Sequence, residues 1–157
     1  MTPPIAPCLW FDANAEEAVN YYISIFRNSK VLHIDRYSDV GPDPEAPVVF
    51  MEFQINGQPF QAINGGPHFT FSEATSFAIE CADQAEVDHY WDTLVQGGEP
   101  MACGWLKDRY GVSWQVVPRV LTDLLRDPDR TRAGQVMRCM LQMSKLNVAE
   151  LQAAYAE

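Results

Sequence analysis

The chain has 157 residues, of which 47% are apolar, and a formal net charge of −10 at pH 7. This length suits one ordinary domain or two half-sized modules that share a core. The negative charge argues against unspecific binding of nucleic acid, which depends on clusters of Lys and Arg. The one short basic stretch, 126–132, is interrupted by Asp127 and Asp129.

The sequence also lacks the features of membrane, secreted and zinc-binding proteins. No apolar run approaches the roughly 20 residues of a membrane-spanning helix, and the N-terminus has neither the charged nor the apolar region of a signal peptide. We therefore expect a cytoplasmic protein with reduced thiols and without a membrane partner. The cysteines show no CxxC pair and no zinc-binding spacing; they are Cys8, Cys81, Cys103 and Cys139.

The first predicted module covers about 5–64. A short strand over 8–11 precedes a helix that opens with Asn14 and carries Glu17 three residues later, the residue types of a capping box. Apolar residues then recur at helical spacing. Three extended runs follow, with a loop at 41–44 before the second of them; the runs are 30–37, 48–55 and 58–63. Asn56-Gly57 joins the last two and is a strong hairpin signal.

The second module, about 75–118, repeats this order. A strand over 77–81 precedes a helix that opens with Asp83 and Glu86, 69 residues after the equivalent pair in the first module. The apolar positions of the two helices superpose, and Gly97-Gly98 ends the second helix. Shorter extended runs follow at 99–102, 104–107 and 113–117. Two modules of the form βαβββ are therefore predicted.

A linker over about 65–74 joins the modules, and a helical tail covers about 119–157. The tail contains Asp127-Pro128-Asp129 before one apolar helical pattern, and a further capping box at 147–150 before a second pattern. The predicted fold class is α+β, with two tandem βαβββ modules and a helical C-terminal tail in a single domain, 1–157.

Several motifs resemble those of a known family. They are Asn14 with Glu17-Ala18 and Tyr21-Tyr22, the linker and its continuation 65–74, Cys103-Gly104-Trp105-Leu106, Asp108, Gly111, Ser113-Trp114-Gln115 and Asp127-Pro128-Asp129. The chain resembles the PhnB-like branch of the glyoxalase and bleomycin-resistance (vicinal oxygen chelate) superfamily, often labelled demethylubiquinone methyltransferase. The sequence contains no glycine-rich loop of the kind that binds a dinucleotide or S-adenosylmethionine, so it does not support the methyltransferase label.

The resemblance also indicates where a metal would bind. Metal-dependent members use one residue from the first strand and one from the last strand of each module, typically His, Gln or Glu. The corresponding residues here are Pro7, Gln61, Ser76 and Gln115, and a one-residue shift of the first strands would place Cys8 and Phe77 there instead. Neither set suits a divalent transition metal. We therefore expect no metal and no cofactor.

Side-chain alternation along the strands predicts a cleft. Phe60, Ala62, Trp114 and Val116 are expected under the helices. The opposite, concave face is expected to bind a small molecule through a mostly apolar surface with a few polar groups. Its predicted residues are Leu9, Phe11, Gln61, Ile63, Ser76, Ala78, Ser113 and Gln115, with Phe69 and Trp105 as aromatic walls.

Each polar candidate has a second interpretation. Gln61 and Gln115 either bind a ligand or satisfy buried backbone groups. Glu80 is either a general base or a solvated residue at the sheet edge. Cys103 is a candidate nucleophile, but no His has a spacing that suggests its base. Phe69 and Trp105 are either pocket walls or aromatic core.

These observations favour a metal-independent protein that binds a small molecule. The alternative is an enzyme acting on a small organic substrate, methyltransferase-like by label only or of a lyase or isomerase type; a module without any ligand is a third possibility. The sequence leaves open whether a reaction is catalysed. A homodimer is expected, because relatives commonly complete the open barrel with a second subunit and because the tail carries Met137, Met140 and Met143 on an apolar face.

Overall fold

The computed structural model describes residues 4–37 and 46–157. The chain forms two compact units, Met1–Thr70 and Phe71–Glu157, each of which is treated by itself. The boundary lies inside the predicted linker. The loop predicted at 41–44 lies outside the described residues.

The first unit has the predicted order of one strand, one helix and three strands. Its four strands form one sheet in the order β1-β4-β3-β2, in which β1 runs parallel to β4 and the other pairs are antiparallel. Helix α1 packs on one face of β2, β3 and β4. The elements are β1 Cys8–Phe11, α1 Ala15–Ile25, β2 Lys30–Arg36, β3 Val48–Ile55 and β4 Gln58–Asn64.

The predicted hairpin between β3 and β4 is confirmed. Asn56 and Gly57 both have positive φ, 50° and 80°, which is the backbone conformation of a two-residue type I′ turn. The turn fixes the register of the two strands, so that Ile55 lies opposite Gln58 and Glu52 lies opposite Gln61.

The capping box predicted for α1 is wrong. Asn14 occupies the N-cap position, but its side chain makes no capping hydrogen bond. The N–H of Ala15 instead donates to Oδ1 of Asn64 at 2.9 Å, and Nδ2 of Asn64 donates to the carbonyl of Val48 at 3.0 Å. The end of β4 therefore supplies the cap from a distant part of the sequence.

The second unit repeats the topology of the first. Its sheet has the order β5-β8-β7-β6, again with the first and last strands parallel and adjacent. Helix α2 packs on β5, β7 and β8. Its elements are β5 Ser76–Cys81, α2 Gln84–Leu94, β6 Glu99–Pro100, β7 Trp105–Lys107 and β8 Ser113–Pro118. The repeat of two βαβββ modules is therefore confirmed, although β6 is shorter than the predicted 99–102.

The capping box of α2 is confirmed. The N–H of Glu86 donates to Oδ1 of Asp83 at 3.0 Å, and Oε2 of Glu86 accepts from the N–H of Ala82 at 2.8 Å. Two backbone donors at the start of the helix are thus satisfied reciprocally.

A buried aspartate organises the turn between β7 and β8. Asp108 is 2% exposed. Its Oδ1 accepts from the N–H groups of Tyr110 and Val112 at 2.8 and 3.1 Å, and its Oδ2 accepts from Nε1 of Trp114 at 2.8 Å. Three donors are therefore satisfied by one carboxyl group, which makes this residue costly to replace.

The tail is helical, as predicted, and forms a small core of its own. Its helices are α3 Arg119–Leu125, α4 Arg130–Met140 and α5 Val148–Ala156. The buried members of the core are Leu121, Val136, Leu146 and Leu151, and Val117, Met140 and Met143 are among the side chains that pack against it. Much of the methionine face thus packs within the chain, while Met137 and Leu141 stay exposed.

The segment before α5 attaches the tail to the second sheet. The N–H groups of Cys103 and Gly104 donate to the carbonyls of Met143 and Ser144. Lys145 forms ion pairs with two carboxylates of α2, Asp88 and Asp92. In the described ranges, no helix has both the length and the apolar character required to span a membrane.

Candidate functional site

The face predicted for the second sheet is confirmed. Ser76 and Ala78 on β5 lie opposite Ser113 and Gln115 on β8, so all four project from the same face. The opposite face is the buried one: Trp114 is 3% exposed and Val116 is fully buried, as predicted, and α2 covers them.

The face predicted for β1 is wrong by one residue. Leu9 and Phe11 were expected on the open face, yet both are buried, at 5% and 3% exposure. Leu9 pairs with Ala62, which lies under α1 as expected, and Cys8 pairs with Gln61. The open face of β1 therefore carries Cys8 and Trp10.

The cause is a difference in loop length between the repeats. Two residues, Asp12 and Ala13, separate β1 from the N-cap residue of α1, whereas Ala82 alone separates β5 from that of α2. If equivalent strand positions are assigned by counting back the same number of residues from each helix cap, the assignment on β1 is therefore wrong by one position. Because side chains alternate, this shift inverts every face assignment on the strand.

The open face of the first sheet contains a depression of about 480 Å³. Its walls are mainly apolar, and Ile5 and Leu32 among them are exposed. Two polar side chains, Glu52 and Gln61, complete the surface. The lining residues are Pro4, Ile5, Ala6, Leu32, Glu52, Pro59, Phe60 and Gln61.

The two polar residues of the depression lie directly opposite each other. Glu52 on β3 pairs in register with Gln61 on β4, and both are half-buried. Neither side chain has a hydrogen-bonding or ionic partner within the described part of the chain. A half-buried carboxylate and a half-buried carboxamide are thus available to a molecule that enters the depression.

Aromatic residues occupy the other end of this face. Nε1 of Trp10 donates to the carbonyl of Gly66 at 2.9 Å, and the ring of Phe69 packs edge-on against Trp10 with centroids 5.0 Å apart. A Cβ atom at Gly65 would stand 2.1 Å from the indole. Phe69 is 66% exposed, so one side of its ring contacts Trp10 while much of it faces solvent. The predicted Ile63 is half-buried and pairs with Trp10 across β1 and β4.

Two of the predicted residues of the second sheet are hydrogen-bonded to each other. Nε2 of Gln115 donates to Oγ of Ser76 at 2.9 Å. Trp105 lies opposite Gln115 on β7 and is half-buried, while Ala78 is exposed. The hydroxyl of Ser113 is buried and has no hydrogen-bond partner among the described residues. Gln115 is therefore already bonded to another side chain, unlike Gln61.

Neither weak catalytic candidate lies in reactive surroundings. Glu80 is exposed on the edge strand and pairs with Arg119, with Nη2 and Oε1 2.8 Å apart. Cys103 occupies a turn with φ 60°, and its N–H donates to the carbonyl of Met143. Its thiol forms no hydrogen bond within the described residues. Glu80 is thus a solvated residue at the sheet edge, the second of its two interpretations, and Cys103 is a residue of the turn before β7.

The residues at the positions that the resemblance assigns to a metal do not fit a transition metal. The open-face positions are held by Cys8 in place of Pro7, with Gln61, Ser76 and Gln115. Burial raises the pKa of the Cys8 thiol, which reduces the thiolate that a metal requires, and amides and a serine hydroxyl are weak ligands. Among residues 4–37 and 46–157, no three His, Cys, Asp or Glu side chains gather closely enough to hold a metal ion.

Comparison with known proteins identifies the family. The model of the 3-demethylubiquinone-9 3-methyltransferase family matches residues 3–117. The chain belongs to this family of PhnB-like proteins. It is 36% identical to the PhnB protein from Bacillus cereus, over 74% of this chain and 99% of that one, with a TM-score of 0.67. The family match ends before the helical tail.

More distant solved structures share only the fold. A protein from Pseudomonas aeruginosa is 19% identical, with a TM-score of 0.62, over 74% of this chain and 98% of that one. The fosfomycin resistance protein FosX from Mesorhizobium loti is 14% identical, with a TM-score of 0.56, over 81% of this chain and 99% of that one. They place the PhnB-like chain in the vicinal oxygen chelate fold. No curated protein matches it.

Of the eight residues that line the depression, only Gln61 was among those predicted for the open face, and Glu52 was missed although it had a signal. The Asn56-Gly57 turn fixes the pairing of the two strands, and that pairing places Glu52 opposite Gln61. Trp10 could not be found in this way, because its face depends on the extra residue between β1 and α1.

Proposed function

We propose that this PhnB-like chain binds a small, largely apolar molecule on the open face of its first sheet, without a transition metal. The observation that carries this proposal is the depression around Glu52 and Gln61. Its volume of about 480 Å³ lies within the roughly 300–1,000 Å³ of small-molecule sites, which are also mostly apolar with a few polar groups.

The energetics favour a ligand at this place. Ile5 and Leu32 expose apolar surface to water, and covering such surface is favourable by about 25 cal/mol per Å². The carboxamide of Gln61 offers one acceptor and two donors that no described side chain uses. Apolar contact would thus supply affinity, while Gln61 would orient the bound molecule.

Metal independence is supported by the chemistry of the side chains. The thiol of Cys8, whose pKa is raised by burial, stands with two carboxamides and a hydroxyl at the positions where metal-dependent relatives carry imidazole or carboxylate ligands. Gln115 is also hydrogen-bonded to Ser76 at 2.9 Å. Binding without turnover is the function that these residues support, since Glu80 is paired with Arg119 and Cys103 lies in a structural turn.

A thermal-shift screen of the full chain tests the proposal, because a molecule that binds only the folded state raises the melting temperature. The screen uses small metabolites and divalent metals, with and without EDTA. We expect hits whose stabilisation is insensitive to EDTA and is lost in Gln61→Ala. Gln58→Ala, which changes an exposed glutamine on the same strand, is the matched control and should keep the shift.

Two outcomes would contradict the proposal. Stabilisation that appears only with added metal would overturn metal independence. Hits that shift Gln61→Ala and the parent chain equally would place the ligand elsewhere. Methyl transfer from S-adenosylmethionine to a demethylubiquinone by the purified chain would replace binding by the activity in the family description.

A further inference from the structure

The charge of Glu52 indicates the charge of the ligand, which the neutral side chain of Gln61 cannot do. Both residues line the depression, but at neutral pH a carboxylate accepts hydrogen bonds and donates none. A half-buried carboxylate without a partner is unfavourable compared with one that is paired. The molecule that best complements this site carries a positive charge.

The neighbours of Glu52 do not neutralise it. His33 lies opposite Glu52 on β2, but its Nε2 is 2.8 Å from Oδ1 of Asp35, so it already has an acidic partner. Lys30 is on the same face, opposite Gln54, and is exposed without an ion pair to Glu52. Of the described residues, none forms a salt bridge with Glu52.

The remaining walls define the rest of the ligand. Pro4, Ile5 and Ala6 form one side of the depression, and Leu32 and Pro59 contribute further apolar surface. These residues offer van der Waals contact but no hydrogen-bonding side chain. A compact apolar body therefore fits beside the two polar groups.

We propose that the ligand class is an organic cation: an amine, protonated at neutral pH, on an apolar body, whose ammonium pairs with Glu52 while Gln61 accepts a second hydrogen bond from it. This inference rests on the proposed function, since it concerns the same depression. Charge-assisted hydrogen bonds are about twice as strong as neutral ones, so the charge of the ligand should be measurable in its affinity.

The test uses three probes with one apolar body and different charges: 4-phenylbutylamine, 4-phenylbutan-1-ol and 4-phenylbutyrate. Their affinities for the full chain are measured by NMR titration, which also locates each probe through the methyl signals of Ile5 and Leu32. We expect the amine to bind about tenfold more tightly than the alcohol, a difference of about 1.4 kcal/mol, and the carboxylate to bind more weakly than both.

Glu52→Gln removes the charge while keeping the size of the side chain. It should abolish the preference for the amine and leave the affinity for the alcohol nearly unchanged. Asp123→Asn makes the same change of charge at an exposed residue of α3 and should keep the preference. Raising NaCl from about 20 mM to about 500 mM should weaken amine binding more than alcohol binding, because salt screens the ion pair.

Failure of this inference can be told apart from failure of the proposed function. If alcohol and amine bind equally at Ile5 and Leu32, and Glu52→Gln changes neither affinity, the depression binds small molecules but the cation class is wrong. If the amine binds elsewhere, for example at Asp88 and Asp92 of α2, and Glu52→Gln does not change its affinity, the inference is also wrong. If none of the probes shifts these methyl signals, the depression does not bind this class of molecule, and both proposals fail.

Discussion

Trp114 and Gln115 are neighbours on β8 that face opposite sides of the sheet, and they should respond oppositely to mutation. Trp114 is 3% exposed, packs against Phe77 with ring centroids 5.5 Å apart, and donates its Nε1–H to buried Asp108 at 2.8 Å. Gln115 is half-buried on the open face and donates to Ser76.

The magnitudes follow from these contacts. Trp114→Ala removes a buried large aromatic, at about 3–5 kcal/mol, and leaves Oδ2 of Asp108 without its donor, so the total loss should be about 4–6 kcal/mol. This is comparable with the whole stability of a typical domain, about 5–15 kcal/mol. Trp114→Phe keeps most of the packing and should lose about 1–3 kcal/mol through the hydrogen bond. Gln115→Leu should stay within about 1 kcal/mol of the parent.

Urea denaturation followed by circular dichroism gives the free energy of unfolding for each variant by linear extrapolation. The expected order of destabilisation is Trp114→Ala, then Trp114→Phe, then Gln115→Leu. Trp114→Phe remains measurable if Trp114→Ala fails to fold. A larger loss for Gln115→Leu than for Trp114→Phe would refute the assignment of the two faces.

Three structural predictions and one on assembly follow. Asn64→Ala should lower the unfolding free energy by about 1–2 kcal/mol, because Asn64 caps α1, and Asn14→Ala by less than about 0.5 kcal/mol; the opposite order in urea denaturation would refute this cap. The Tyr155 hydroxyl lowers the pKa of Asp127 through a 2.7 Å hydrogen bond. A carboxyl group whose pKa is lower in the folded than in the unfolded chain stabilises the fold above its unfolded pKa of about 4, and this stabilisation is lost as the pH falls through its folded pKa. The destabilisation by Tyr155→Phe in urea should therefore shrink from about pH 7 to about pH 2, and a constant difference would contradict it. Cys81 is fully buried and burial raises its pKa to about 12, whereas the side chain of Cys8 is exposed, so a thiol reagent at about pH 8 should label Cys8 faster than Cys81 in the folded chain, as peptide mapping would show. Light scattering should give twice the 17.7 kDa mass of the chain if the predicted homodimer forms, and a monomer at micromolar concentration would count against it.

The sequence predicted the repeat because each module carries its own local signals. The residues around Asp83 and Asn147 form side-chain caps as predicted, and the turn at Asn56-Gly57 has the expected positive φ angles. These features depend on residues within a few positions of one another. Local chemistry is sufficient to specify them.

The failures have two causes, contacts between distant residues and a difference in loop length between the modules. Asn14 has the right residue type for a cap, but Asn64, fifty positions later, takes that role toward α1. Leu9 and Phe11 were assigned to the wrong face because one extra loop residue in the first module is invisible to helix periodicity. Glu52 could be predicted as a site residue only by following the strand pairing from the Asn56-Gly57 turn to Gln61.

A crystal structure of the chelator-treated chain soaked with the strongest hit of the screen would test the central claim most directly. Our account predicts the bound molecule in the depression of the first sheet, in contact with Gln61 and with its polar group directed at Glu52, and no metal between ligand and protein. A ligand outside this depression, or one held there through a metal ion, would contradict the account.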